Sequence, residues 1–305
     1  MAIGLYHHPE CHRHDMGAGH PERPGRLAAV MDGLAEAGLS DWLQQREAPA
    51  VDRAALRRAH PEAYLDFLAE REPATGTVRL DPDTVMNAHT LSAAAHAAGA
   101  GVAAVDAVLD GELDAVFCAV RPPGHHAEKR VPMGFCFYSN IAVAALHALD
   151  ARGLERVAIC DFDVHHGNGT EDVVDGDFRV LFCSTFEHPQ FPGKYHHDVP
   201  GHRVNCPLTP GTGSDGFRRV IRERWLPALA DFAPQLMLIS AGFDAHRADP
   251  LGGLNLVESD FTWVTTELAA VAREHAAGRI VSMLEGGYDL AALGRSAAAH
   301  IDALA

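Results

Sequence analysis

The chain has 305 residues, with 41 Asp and Glu against 25 Lys and Arg and a formal charge of −16. No basic run interrupts this balance, which disfavours binding to nucleic acid, where Lys and Arg must neutralise phosphates, and favours a positively charged segment such as a Lys-rich tail. No signal-peptide pattern opens the chain, no apolar stretch reads as long enough to span a bilayer, and the six Cys form no C-x-x-C pair, so a cytoplasmic protein without membrane association is expected.

Ile3–Tyr6 reads as a short strand, followed by a polar loop to Pro24 rich in His, Gly and Pro. Gly19-His-Pro-Glu-Arg-Pro-Gly-Arg-Leu27 opens a helix through about Ala37, with Pro near its start. Residues 50–59 give no clear reading, 60–68 read as a helix with Tyr64, Leu65 and Leu68 on one side, and 75–83 read as loop. Val85 to Leu109 is Ala-rich and predicts a helix, in which Gly99 and Gly101 mark close packing or a bend. His89 and His96 share a face of it and read as structural, because no carboxylate lies at ligand spacing. Ala115–Val120 is a continuous apolar run of strand length, stopped by Pro122 and Pro123. A helix at about 141–152 precedes strands at Val157–Phe162, Val180–Ser184, Leu236–Ser240 and Ile280–Leu284. Unbroken apolar strands alternating with crossover-length segments predict an α/β protein with a parallel sheet covered on both faces. With no linker, low-complexity tract or repeat, one domain spanning residues 1–305 is expected.

The chemistry concentrates at predicted strand ends, where parallel sheets place their ligands. In the strand ending Asp161-Phe-Asp-Val-His165, alternation puts Asp161, Asp163 and His165 on one face. Buried charge needs a metal or a partner. The other strand ends deliver Gly124-His125-His126, Gly242-Phe243-Asp244 and Glu285-Gly286-Gly287-Tyr288. Asp163, His165 and Asp244 make three protein ligands with an open position, which describes catalytic zinc, while the lack of a thiol leaves Fe(II) or Co(II) open. A metal lowers the pKa of water. His125 and His126 can position and deprotonate that water, and Tyr288 can donate to a carbonyl oxygen as it becomes an oxyanion. The set suits hydrolysis of an amide or ester.

Six motifs in this order resemble the zinc-dependent histone deacetylases and their bacterial amidohydrolase relatives. They are Gly19-His-Pro-Glu-Arg-Pro, Arg121-Pro-Pro-Gly-His-His-Ala, Gly134-Phe-Cys-Phe-Tyr-Ser-Asn140, Asp161-Phe-Asp-Val-His-His-Gly-Asn-Gly-Thr, Ser240-Ala-Gly-Phe-Asp244 and Leu284-Glu-Gly-Gly-Tyr288. The resemblance runs from His7 to beyond Tyr288, and Asn168 with the Glu285-Gly-Gly-Tyr form looks like the class II branch. It implies an arginase-like three-layer fold with a single, mainly parallel sheet of about eight strands. It implies zinc on Asp163, His165 and Asp244, with His126 as general base. His125 would stabilise charge and protonate the leaving amine, held by Asp161, and Asn168 would face His126. Gly134, Phe135 and Phe191 resemble the walls around an acyl-lysine stem, and a structural potassium is implied at Asp161, Asp163, His165 and Ser184. From the residues alone, Phe135 also reads as core, Phe191 reads better as loop packing and Ser184 reads as an ordinary strand-end Ser. Arg26 resembles a family arginine beside an inner cavity but reads equally as a helix-surface ion pair. His7, His8, His12, His14 and His20 line a rim or are merely solvated, and His196 and His197 carry no assigned function.

Three functions compete. The first removes acetyl, or another acyl group, from the lysine side-chain amine of proteins or peptides. The second hydrolyses an acetylpolyamine or another small acylated amine. For it, an acidic gatekeeper is expected seven residues beyond Asp244, where this chain has Leu251; an apolar rim favours lysine. The third is a non-catalytic acyl-lysine binding module, disfavoured because every catalytic position including Tyr288 is intact.

Overall fold

A computed structural model describes residues 2–305. Its ten strands are β1 (Ile3–His7), β2 (Gln44–Glu47), β3 (Thr77–Arg79), β4 (Val85–Asn87), β5 (Ala115–Cys118), β6 (Val157–Asp161), β7 (Val180–Glu187), β8 (Arg203–Leu208), β9 (Leu236–Ala241) and β10 (Ile280–Leu284). Eight form one sheet in the order β2-β1-β5-β10-β9-β6-β7-β8, with every pairing parallel. β5, β10, β9 and β6 are adjacent at its centre and buried along their whole length, which is why their sequences are apolar on both faces. Helices flank the sheet: Gly25–Glu36, Glu258–His275 and Leu290–Asp302 pack as one group, and Thr90–Leu109 packs with Asn140–Asp150. The fold is the three-layer α/β arrangement expected.

Several local expectations need correction. The segment read as loop at 75–83 contains β3, and the helix read from Val85 begins only at Thr90, because Val85–Asn87 pairs antiparallel with β3. Asp81 turns this hairpin by accepting the N–H groups of Asp83 at 3.0 Å and Thr84 at 2.6 Å. Residues 53–59 form a helix whose N-terminus is capped by Asp52, which accepts the Ala55 N–H at 2.6 Å. The edge strands β2 and β8 lie outside the predicted elements because neither carries an unbroken apolar run. Helix Thr90–Leu109 is long and apolar enough to cross a bilayer, contrary to expectation. Its small residues instead press against protein: a Cβ on Gly99 would stand 1.9 Å from the Pro49 carbonyl oxygen, and one on Gly101 2.9 Å from Met283 Sδ. His96 on this helix stacks on His8 with ring centroids 3.4 Å apart.

Candidate active site

The carboxyl ends of the four central strands meet at one place. β6 ends in Asp161, and the turn after it folds its own amides onto carboxylates: Asp163 N–H donates to Asp161 Oδ1 at 3.1 Å and His165 N–H to Asp163 Oδ1 at 2.9 Å. From the loop after β9, Asp244 Oδ1 accepts the Val164 N–H at 2.8 Å. From the loop after β10, Gly286 N–H donates to Asp163 Oδ2 at 2.8 Å. These bonds lock three strand ends around Asp163, His165 and Asp244, all buried, whose ligand atoms lie within 4.8 Å of one another. His165 Nδ1 is 3.1 Å from Asp163 Oδ1 and 3.3 Å from Asp244 Oδ2. A tetrahedral site with metal–ligand bonds of about 2.0–2.1 Å has edges of about 3.3 Å. Asp244 Oδ2 is buried without a hydrogen-bond partner. The spacing, the oxygen and nitrogen donors and this orphan oxygen fit a divalent cation. The cradle depends on glycine, because a Cβ on Gly286 would stand 2.0 Å from Asp244 Oδ2.

Charge in this cluster is finely opposed. Burial, then the neighbouring Asp163, pushes the Asp244 carboxyl up to about 7. Burial opposes charge on His165, but Asp163 and Asp244 outweigh it and raise the ring to about 10. Asp163 is held well below the carboxylate range despite its burial, chiefly by His125 and His165. A metal must displace the protons on His165 and Asp244, so metal affinity should rise with pH.

Two histidines stand beside the cluster. His125 Nδ1 is 2.9 Å from Asp161 Oδ2, and its Nε2 is 3.7 Å from Asp163 Oδ2. Burial works against a charged His125, but Asp163 and Asp161 overcome it and raise its pKa well above the usual value. His126 goes the other way: burial, then His125 and His165, hold it well below. Its tautomer follows from Asn168, whose Nδ2 donates to Glu128 Oε1 at 2.8 Å. The Glu128 carboxylate accepts only, so the Asn168 oxygen faces His126 Nδ1 at 2.7 Å, and Nδ1 carries the proton. His126 Nε2 is left with a free lone pair.

A pocket of about 360 Å³ opens onto this cluster. Phe135 and Phe191 line it, His126, His165 and Tyr288 lie on its wall, and Asp83, Gln190 and Leu251 also border it. Phe191 meets His126 edge-on with centroids 4.9 Å apart, and Phe135 meets Tyr288 edge-on at 5.8 Å. Gly134 and Phe135 both have positive φ, +56° and +69°, and Phe135 packs partly buried against the core while lining the pocket. A Cβ on Gly134 would stand 2.5 Å from His126. Burial raises the Tyr288 pKa well above the usual value, so its hydroxyl keeps its proton and can donate. Ser184 lies in register with Asp161, and its buried Oγ has no hydrogen-bond partner.

Arg26 is not a surface ion pair: it is wholly buried, donates from Nε to the Gly287 carbonyl at 2.6 Å and lies 4.9 Å from the centre of the Tyr288 ring. Glu22, also wholly buried, joins it to Arg121. Of the loop histidines, His14 is buried 3.3 Å from Glu22, and His20 meets Phe135 edge-on at 4.7 Å. Sequence reasoning missed two carboxylates. Glu285 Oε2 accepts the N–H groups of Gly124 at 2.7 Å and His125 at 3.1 Å, and Oε1 accepts Ser240 Oγ–H at 3.1 Å. Asp249 accepts the Tyr288 N–H at 2.6 Å. Both sit within or beside recognised motifs, but apart from the Ser240 hydroxyl the groups they hold are backbone amides that leave no mark on the sequence.

Residues 20–304 match the histone deacetylase domain family. The chain belongs to the histone deacetylase family. It is 38% identical to a probable deacetylase of Archaeoglobus fulgidus over 95% of this chain and 82% of that protein. It is 39% identical to the histone deacetylase-like amidohydrolase of Pseudomonas aeruginosa over 89% of this chain and 73% of that one. The crystal structure of the HDA15 HD domain superposes with a TM-score of 0.93 at 32% identity, covering 99% of this chain and 89% of that one. The protein is thus a hydrolytic deacetylase of the amidohydrolase type, with a candidate metal site at Asp163, His165 and Asp244.

Proposed function

We propose that this deacetylase removes acetyl groups from the side-chain amine of lysine in proteins or peptides, with zinc on Asp163, His165 and Asp244. The observation that carries the reading is the aromatic-lined pocket, whose wall brings Phe135 and Phe191 together with His126, His165 of that cluster and Tyr288. Phe135 and Phe191 flank the apolar lysine stem and exclude water from it. A zinc ion, when bound, polarises the amide carbonyl and acidifies water. His126 Nε2, with its lone pair free and its pKa lowered, takes the proton from the attacking water. His125, kept protonated by Asp161 and Asp163, supplies a proton to the departing amine. Tyr288 donates to the oxygen of the tetrahedral intermediate. The orphan Ser184 Oγ beside Asp161 supports a structural potassium there, with Asp163 and His165 supplying further oxygens.

The pocket border also bears on a second reading. Asp83 is acidic and would attract an acetylpolyamine, whereas Leu251 offers that cation nothing. Initial rates on acetyl-lysine peptides, longer acyl-lysines and acetylpolyamines test the assignment: acetyl-lysine peptides should be preferred, and a preference for acetylpolyamines would overturn it. Leu251→Glu should shift the ratio of kcat/KM values toward acetylpolyamines by about fivefold or less, corresponding to about 1 kcal/mol for a partly screened charge. An unchanged ratio would show that Leu251 does not guard the entrance.

A further inference from the structure

The loop that carries Asp244 continues to Asp249, whose carboxylate is 7% exposed and reaches two other segments. Oδ2 accepts the N–H groups of Tyr288 at 2.6 Å and Asp289 at 3.1 Å. Oδ1 accepts the Leu251 N–H at 2.9 Å. Tyr288 needs such a hold, because the two residues before it are glycines and Gly287 has φ +122°. Arg26 grips the carbonyls of Glu285 and Gly287, and Phe243 N–H donates to the Gly286 carbonyl at 3.0 Å. Those backbone hydrogen bonds end before Tyr288. Beyond it, Asp289 caps helix Leu290–Asp302 through the Ala292 N–H at 2.8 Å. Asp249 therefore grips the joint between a glycine turn and a capped helix, with hydrogen bonds strengthened by its charge.

We propose that Asp249 is a positioning residue for Tyr288, setting where its hydroxyl meets the developing oxyanion; this rests on the reading of Tyr288 as the oxyanion donor. Asp249 does not border the substrate pocket and acts through the backbone. Losing its acceptor frees the Tyr288 backbone to shift, and a misplacement of about 1 Å costs about a hundredfold in rate.

The test is a double-mutant cycle on the metal-loaded, full-length protein with an acetyl-lysine peptide, using D249A, D249N and Y288F and reading kcat, KM and metal content. D249A should lower kcat by about ten- to a hundredfold, with KM and metal content near wild type. D249N should lose less, since an amide oxygen can still accept the Tyr288 and Asp289 N–H groups. In the Y288F background either substitution should cost little further, because the hydroxyl it positions is gone. Multiplying losses would overturn the proposal, as would loss of metal in D249N, which would place the effect on Asp244. Should D249A fail to fold, the cycle with D249N decides. A slow Y288F with multiplying losses removes the positioning role alone, whereas a Y288F with wild-type kcat removes the oxyanion reading and the proposal with it.

Discussion

Tyr288→Phe should turn over an acetyl-lysine peptide about a hundred- to a thousandfold more slowly than the wild type, the usual cost of losing one oxyanion donor. Peptide Kd and metal content should stay near wild type. The substitution keeps the ring that meets Phe135 edge-on and lies against Arg26, and it removes only the hydroxyl. That hydroxyl stays protonated because burial raises its pKa. A donor that contacts the ground-state carbonyl weakly and the oxyanion strongly affects kcat far more than binding. Single-turnover rates with metal analysis check this. A wild-type kcat would mean that the carbonyl is polarised without Tyr288. Loss of metal or of the fold would make Tyr288 structural.

Asp244→Asn is expected to strip the metal while sparing the fold. Asp244 Oδ1 accepts the Val164 N–H, and an Asn oxygen can keep that bond. The change falls on Oδ2, the buried oxygen with no hydrogen-bond partner, where an NH₂ group cannot ligate. Removing a residue that merely supports a metal ligand costs about ten- to a hundredfold in metal affinity, and loss of a ligand should exceed that, with activity falling in step. Metal content after dialysis, alongside a thermal unfolding curve, measures both effects. Wild-type metal content in the variant would remove Asp244 from the ligand set.

Much of this architecture could be read from the residues because the physics repeats along the chain. β5, β6, β9 and β10 are buried on both faces, so each shows as an unbroken apolar run, and their polar ends stand out against it. Asp161, Asp163, His165 and Asp244 were visible for that reason. β2, with the sequence Gln-Gln-Arg-Glu, forms an exposed edge strand by hydrogen-bonding to β1, and nothing in its composition announces it. β8 mixes Arg203, Asn205 and Pro207 among its apolar residues and is strand only by pairing with β7. The hairpin at Asp81 shows the opposite failure, since its turn residues hid two strands of three residues each. The supporting carboxylates were hidden for a further reason. Glu285 holds amides 161 and 160 positions away, and Asp249 holds one 39 positions away; such long-range backbone contacts have no period or spacing. Arg26 was ambiguous because helix position does not reveal burial beneath a neighbouring loop.

The most direct measurement follows acetate release from an acetyl-lysine peptide by the protein as purified, after chelation to metal-free protein, and after stepwise return of zinc. Activity should vanish with the metal and return in proportion to zinc bound, reaching its full value at one ion per chain. Full acetate release by metal-free protein would contradict the account.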